Sequence, residues 1–100
     1  MRLYRNPSNR PSNIITHKAD LQILEEIAYN EYMTPTQLKK RLGISYRVIQ
    51  SVLNRHVEKG VLIEIKVGKI KIFTFNTNNE VGKYLYRFIR EWPINVDSDR

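Results

Sequence analysis

The chain has 100 residues, the size of one domain, and 17 lysines and arginines against 10 acids give a formal net charge of +7. Apolar residues make up 41%, enough for a packed core and too many for wholesale disorder, while the positive excess points to a polyanionic partner. Cysteine is absent, which excludes a disulfide scaffold, a thiol nucleophile and a thiolate zinc site; no apolar run exceeds three residues, so a soluble, cytoplasmic domain without a membrane span or signal-peptide core is expected.

Residues 1–13, MRLYRNPSNRPSN, show no periodicity and read as a flexible basic arm carrying Arg2, Arg5 and Arg10. Residues 14–76 are expected to form the domain itself. Within it, 17–31 read as a first helix, with Leu21, Leu24, Ile27 and Ala28 on one face and Thr16 as its cap. Glu25, Glu26 and Glu31 fall on its outer side.

The second helix has strong start signals. Thr34 is the N-cap, Pro35 takes the first helical position, and Gln37 completes a capping box. Met33 and Leu38 make a hydrophobic staple, Leu42 points inwards, and Gly43 ends the helix in the left-handed cap position. Ser45 then caps a third helix, 45–59, with Ile44 and Ile49 as its staple. Ile49, Val52, Leu53, His56, Val57 and Gly60 share its inner face, and Tyr46, Arg47, Gln50, Ser51 and Asn54 the opposite one. Two helices joined by a Gly-Ile-Ser turn form the helix-turn-helix pattern.

Residues 61–76 switch to period two. Val61, Ile63, Ile65 and Val67 alternate with Leu62, Glu64 and Lys66, and Gly68-Lys69 suits a two-residue hairpin turn. Ile70 and Ile72 face one side and Phe73 and Phe75 the other; because both sides are apolar, the pattern leaves the core face open. The segment 77–93 reads as a last helix, from about Asn78 to Trp92, with a Thr77/Glu80 capping box and Pro93 as its stop. Its stripe of Val81, Tyr84, Leu85, Phe88, Ile89 and Trp92 is wide enough to serve core packing or a dimer seam. Residues 94–100 form a polar tail.

The charge is clustered. The arm, residues 34–59 and residues 60–76 are basic, 14–33 are acidic and 77–100 are balanced. Lys39, Lys40 and Arg41 sit on the helix before the turn, and Lys66, Lys69 and Lys71 surround the hairpin tip.

The segment Lys18 to Asn76, carried by TPTQLKKRLGISYRVIQSVLNRHVEKGVLIEI, resembles winged helix-turn-helix regulators of the ArsR and MarR types. Leu38, Leu42, Gly43, Ile44 and Ser45 match their helix-to-turn signature, and Gly60, Val61, Leu62 and Ile63 match their entry into the wing. The resemblance implies an α+β, mostly helical fold: a three-helix core, a two-stranded hairpin wing at 66–71 and an extra C-terminal helix. It further implies a dimeric transcriptional regulator that binds double-stranded DNA sequence-specifically. In that reading Tyr46, Arg47, Gln50, Ser51 and Asn54 enter the major groove, where arginine matches guanine and glutamine or asparagine matches adenine. Lys39, Lys40 and Arg41 meet phosphates, the wing lysines meet backbone or an adjacent groove, the arm arginines suit a minor groove, and the last helix joins the dimer. Two positions depart from the pattern: Arg55 stands where those families carry an apolar residue, and His56 where leucine is common.

Metal sensing needs a cluster of cysteine or histidine, and this chain has only His17 and His56, so no metal or other cofactor is expected. No glycine-rich phosphate loop, cysteine nucleophile or acidic metal cluster marks an enzyme. The alternative is a winged-helix adaptor that makes protein contacts in transcription or replication machinery. Single-strand binding would need Phe73 and Phe75 as an exposed stacking platform, and core packing accounts for them better. Richness in isoleucine, lysine, tyrosine and asparagine suggests an AT-rich or archaeal genome, or a virus or plasmid.

Overall fold

The computed structural model describes residues 18–97, with side chains through Glu91. The basic arm, the Thr16 cap, His17 and the side chain of Trp92 therefore lie outside the described residues. The elements are α1 (Lys18–Asn30), α2 (Pro35–Leu42), α3 (Tyr46–Glu58), β1 (Leu62–Val67), β2 (Ile70–Phe75) and α4 (Glu80–Asp97).

The helix ends follow from local chemistry. Thr34 Oγ1 accepts the Gln37 amide at 3.1 Å and the Gln37 side chain accepts the Thr34 amide at 2.9 Å, closing the capping box. Gly43 sits at φ 69°, where its amide donates to Lys39 O and ends α2. Two residues later Ser45 Oγ accepts the Val48 amide at 3.3 Å and starts α3. α1 behaves differently at its end. Glu31 holds φ 71°, which a non-glycine residue adopts at a cost. Its carboxylate accepts the Tyr86 hydroxyl at 2.8 Å and the Arg90 guanidinium at 3.1 Å, and Arg90 also donates to Ala28 O at 3.0 Å. The strained residue thus ties the end of α1 to α4.

β1 and β2 pair antiparallel from Leu62↔Phe75 to Val67↔Ile70, around a Gly68-Lys69 turn with Gly68 at φ 65°. Met33 pairs with Phe73 on the outer edge of β2 through amide bonds of 3.1 and 2.9 Å. The pairing settles the faces: Leu62, Phe73 and Phe75 are buried, while Ile63, Ile65, Val67 and Ile70 lie on the exposed side. Both phenylalanines are buried, so neither offers an exposed face for base stacking.

The core joins Ile23, Leu24, Ile27 and Ala28 of α1 with Leu38 of α2 and Ile49, Val52 and Leu53 of α3. Met33, Val61, Leu62, the hairpin phenylalanines and Leu85 and Ile89 of α4 complete it. Each such aliphatic side chain contributes about 1.5–3 kcal/mol.

Three expectations need correction, and the α4 stripe, left open between core and seam, is placed in part. Leu21 is exposed, and the inner face of α1 is turned to include Ile23 and, unexpectedly, Asp20. α4 starts later than Thr77: Asn76 Oδ1 accepts the Asn78 amide in a side-chain turn, and Asn79 Oδ1 caps the helix through the Gly82 amide at 2.9 Å. Gly82 is buried there, and a Cβ on it would meet Asn76 O at 2.5 Å, so the helix start lies directly on the hairpin's exit. α4 also continues through Pro93 to Asp97. A proline withdraws the amide that would bond the carbonyl four residues earlier, Ile89 O, and the Tyr29 hydroxyl of α1 donates to that oxygen at 3.3 Å. Finally, the α4 stripe divides. Leu85 and Ile89 are buried in the chain's own core with Val81 packed beside them, whereas Tyr84 and Phe88 are exposed.

Candidate nucleic-acid interface

α3 presents one polar surface because its other side is committed to the core. Tyr46, Arg47, Ser51 and Asn54 are exposed and Gln50 is half-buried. Gln50 Nε2 donates to Tyr46 Oη at 2.7 Å, one helical turn apart, so these two side chains present their polar atoms as a unit. The hairpin meets this surface from one side. Tyr46 and Gln50 line a groove of about 410 Å³ together with Lys69 and Lys71 of the wing and Thr34, Pro35 and Thr36 at the start of α2. On the other side, Arg47 and Ser51 line a second groove of about 530 Å³ with Ser45, Val48, Arg55 and Asp20. Asn54, Lys66, Lys39, Lys40 and Arg41 line neither groove. They are exposed on α3, the wing and α2.

The acids on α1 and β1 are partly spent on neighbouring bases. Glu26 pairs with Arg41 at 3.4 Å and Glu64 with Lys71 at 3.8 Å. Among the described residues, Lys39, Lys40, Arg47, Lys66 and Lys69 make no ion pair, so their charge is available to a partner. Glu25 is shifted above the ordinary carboxylate range, mainly by burial and then by Glu26 beside it.

The residue that pattern reading missed is Asp20. It is 1% exposed, and its Oδ2 accepts from both Arg55 Nη2 and His56 Nε2, the latter at 3.2 Å. Burial pushes the His56 imidazole below its usual pKa, against the opposing pull of Asp20. Burial thus favours the neutral imidazole; with Nε2 as the donor to Asp20, Nδ1 is left without a partner among the described residues. The two departures at 55 and 56 were the available signal, since a guanidinium and an imidazole on a core-facing stretch call for a carboxylate.

Of the six residues expected at a dimer seam, five have described side chains. Leu85 and Ile89 belong to the core, Val81 is half-buried, and Tyr84 and Phe88 stack outside with ring centroids 6.1 Å apart. Among the described residues, no group of three or more histidine, cysteine or acidic side chains is placed to hold a metal, and no helix is long and apolar enough to cross a membrane.

Known protein-family models and curated protein sequences give no match to the chain. Solved structures do. The transcriptional repressor BigR from Xylella fastidiosa superposes with a TM-score of 0.71 at 12% identity, over 85% of this chain and 82% of that one. The antimony-specific transcriptional repressor AntR gives 0.71 at 13% identity, over 98% and 97%. The transcriptional repressor PagR of Bacillus anthracis gives 0.67 at 18% identity, over 79% and 87%. With its element order, its Gly-Ile-Ser turn between α2 and α3 and its paired hairpin, the chain has the winged helix-turn-helix fold that these regulators are built on.

Proposed function

We propose that this protein is a sequence-specific double-stranded-DNA-binding transcriptional regulator, not an enzyme. One observation carries the reading: Tyr46 and Gln50 of the polar α3 surface and the wing lysines Lys69 and Lys71 converge on the same groove. A duplex seated there places Tyr46, Arg47, Gln50, Ser51 and Asn54 in its major groove. Lys69 and Lys71 then lie along the adjacent backbone, and Lys39, Lys40 and Arg41 along the phosphates that α2 crosses. Repressor activity in the similar structures supports this reading. We further propose a homodimer, with the exposed Tyr84–Phe88 pair at its seam and Val81, Leu85 and Ile89 backing it from the core.

The division of labour is testable by comparing preferred and random duplexes. Arg47→Ala should cost about 1–3 kcal/mol on the preferred sequence and little on random DNA. Lys69→Ala should weaken both alike, because a phosphate carries no base information. Equal losses for Arg47→Ala on the two duplexes would show that α3 does not read bases.

A second reading has its own observation. Ile63, Ile65, Val67 and Ile70 form an exposed apolar face on the hairpin, which suits protein contact in an adaptor. That reading predicts no salt-sensitive duplex binding.

A further inference from the structure

Three positions on α3, Arg47, Ser51 and Arg55, stand one turn apart and form a row along the 530 Å³ groove. Arg55 differs from the other two in being anchored from below. Its Nη2 donates to Asp20 Oδ2, the same oxygen that receives His56 Nε2. Asp20 and His56 are the buried polar residues among the described ones, at 1% and 0% exposure. Each keeps a buried polar atom without a partner, Asp20 Oδ1 and His56 Nδ1. A buried carboxylate costs several kcal/mol to desolvate, and apolar side chains of similar volume are often as stabilising or more so. Stability is therefore a poor reason for this cluster. Its geometric effect is to fix one arginine. The Arg55 side chain remains 33% exposed, and a guanidinium has five N–H donors in a rigid fork, of which Asp20 takes one. The rest have no protein partner among the described residues.

We propose that Asp20 and His56 are positioning residues that hold the Arg55 guanidinium at the edge of this groove, where it clamps a backbone phosphate of bound duplex DNA. The proposal rests on the DNA-binding reading and adds to it a contact from Arg55, which the sequence pattern placed on neither face of α3. Anchoring removes rotamer freedom from a long side chain before binding, so the phosphate contact loses less entropy when it forms.

The test uses the full chain and a fluorescently labelled random-sequence duplex, with affinity followed over a salt titration. Arg55→Ala should weaken binding about tenfold and make the log–log salt slope shallower by about 1. Asp20→Asn separates positioning from simple charge. Removing a negative charge strengthens DNA binding if only net charge counts; if Asp20 positions Arg55, binding weakens and the slope falls as for Arg55→Ala. In the Arg55→Ala background, Asp20→Asn should add no further loss. Circular dichroism checks each fold. Where Asp20→Asn does not fold, Asp20→Leu with His56→Leu fills the same space with apolar atoms and carries the same expectation. If wild type shows no salt-dependent duplex binding, the DNA reading fails and this proposal with it. Wild-type binding with an unaltered Arg55→Ala, or with a tighter Asp20→Asn, overturns this proposal alone.

Discussion

At the scale of residues, His56 makes the fold's stability depend on pH. Burial lowers its folded-state pKa below the 6.5 of the unfolded chain. Between those two values the unfolded chain binds the extra proton, so stability is complete above about pH 6.5 and falls as the pH drops below it. His56→Gln keeps an N–H donor for Asp20 and does not titrate. The melting temperature of wild type should therefore decline from pH 7 to 5 more steeply than that of His56→Gln, and parallel profiles would contradict the assignment. Arg55 and His56 signalled a buried carboxylate, but not that Asp20 supplies it. An acid in the first turn of a helix normally complements the helix dipole at the surface, and its partners stand thirty-five and thirty-six positions away. The caps at Thr34, Gly43 and Ser45 were legible because each is complete within four residues.

At the scale of elements, α4 is held to α1 by contacts that replace ordinary helix-end chemistry. Glu31 keeps a left-handed backbone that glycine would adopt freely, and in return binds Tyr86 and Arg90. Hydrogen bonding to Glu31 raises the Tyr86 phenol above its usual pKa, with burial adding to the shift. Glu31→Ala keeps the strained φ and loses both partners, whereas Glu31→Gly loses the partners and relieves the strain. The glycine variant should thus be the more stable of the two, by about 1 kcal/mol. Equal denaturation midpoints would show that the backbone here is not strained. α4 also outruns its proline, and there Tyr29 donates to the Ile89 carbonyl, a contact between helices sixty residues apart that no local rule contains. The hairpin's faces were open for a related reason. Both sides of β2 are apolar, and the choice between them was made by Met33 and α1 packing on one of them.

At the scale of the whole molecule, the question is how one small domain finds one site. Under the proposed function a single α3 would read only a few base pairs, and a two-fold dimer would double that, with half-site centres about one helical turn, ~34 Å, or a small multiple apart. The split stripe on α4 dictates which substitutions test this. Leu85→Glu would place a charge in the core, whereas Tyr84→Glu with Phe88→Glu changes exposed positions only. That double variant should remain folded by circular dichroism and be monomeric by light scattering. A wild type that is itself monomeric at tens of micromolar would contradict the dimer, and a folded double variant that stays dimeric would move the seam elsewhere. The central claim, that α3 and the wing together hold duplex DNA, is reached most directly by the salt dependence of binding. For a dimer neutralising roughly 6–10 phosphates, the logarithm of the association constant should fall with the logarithm of salt concentration with a slope of about −5 to −9. A slope near zero, or no binding to duplex DNA at low salt, would contradict it.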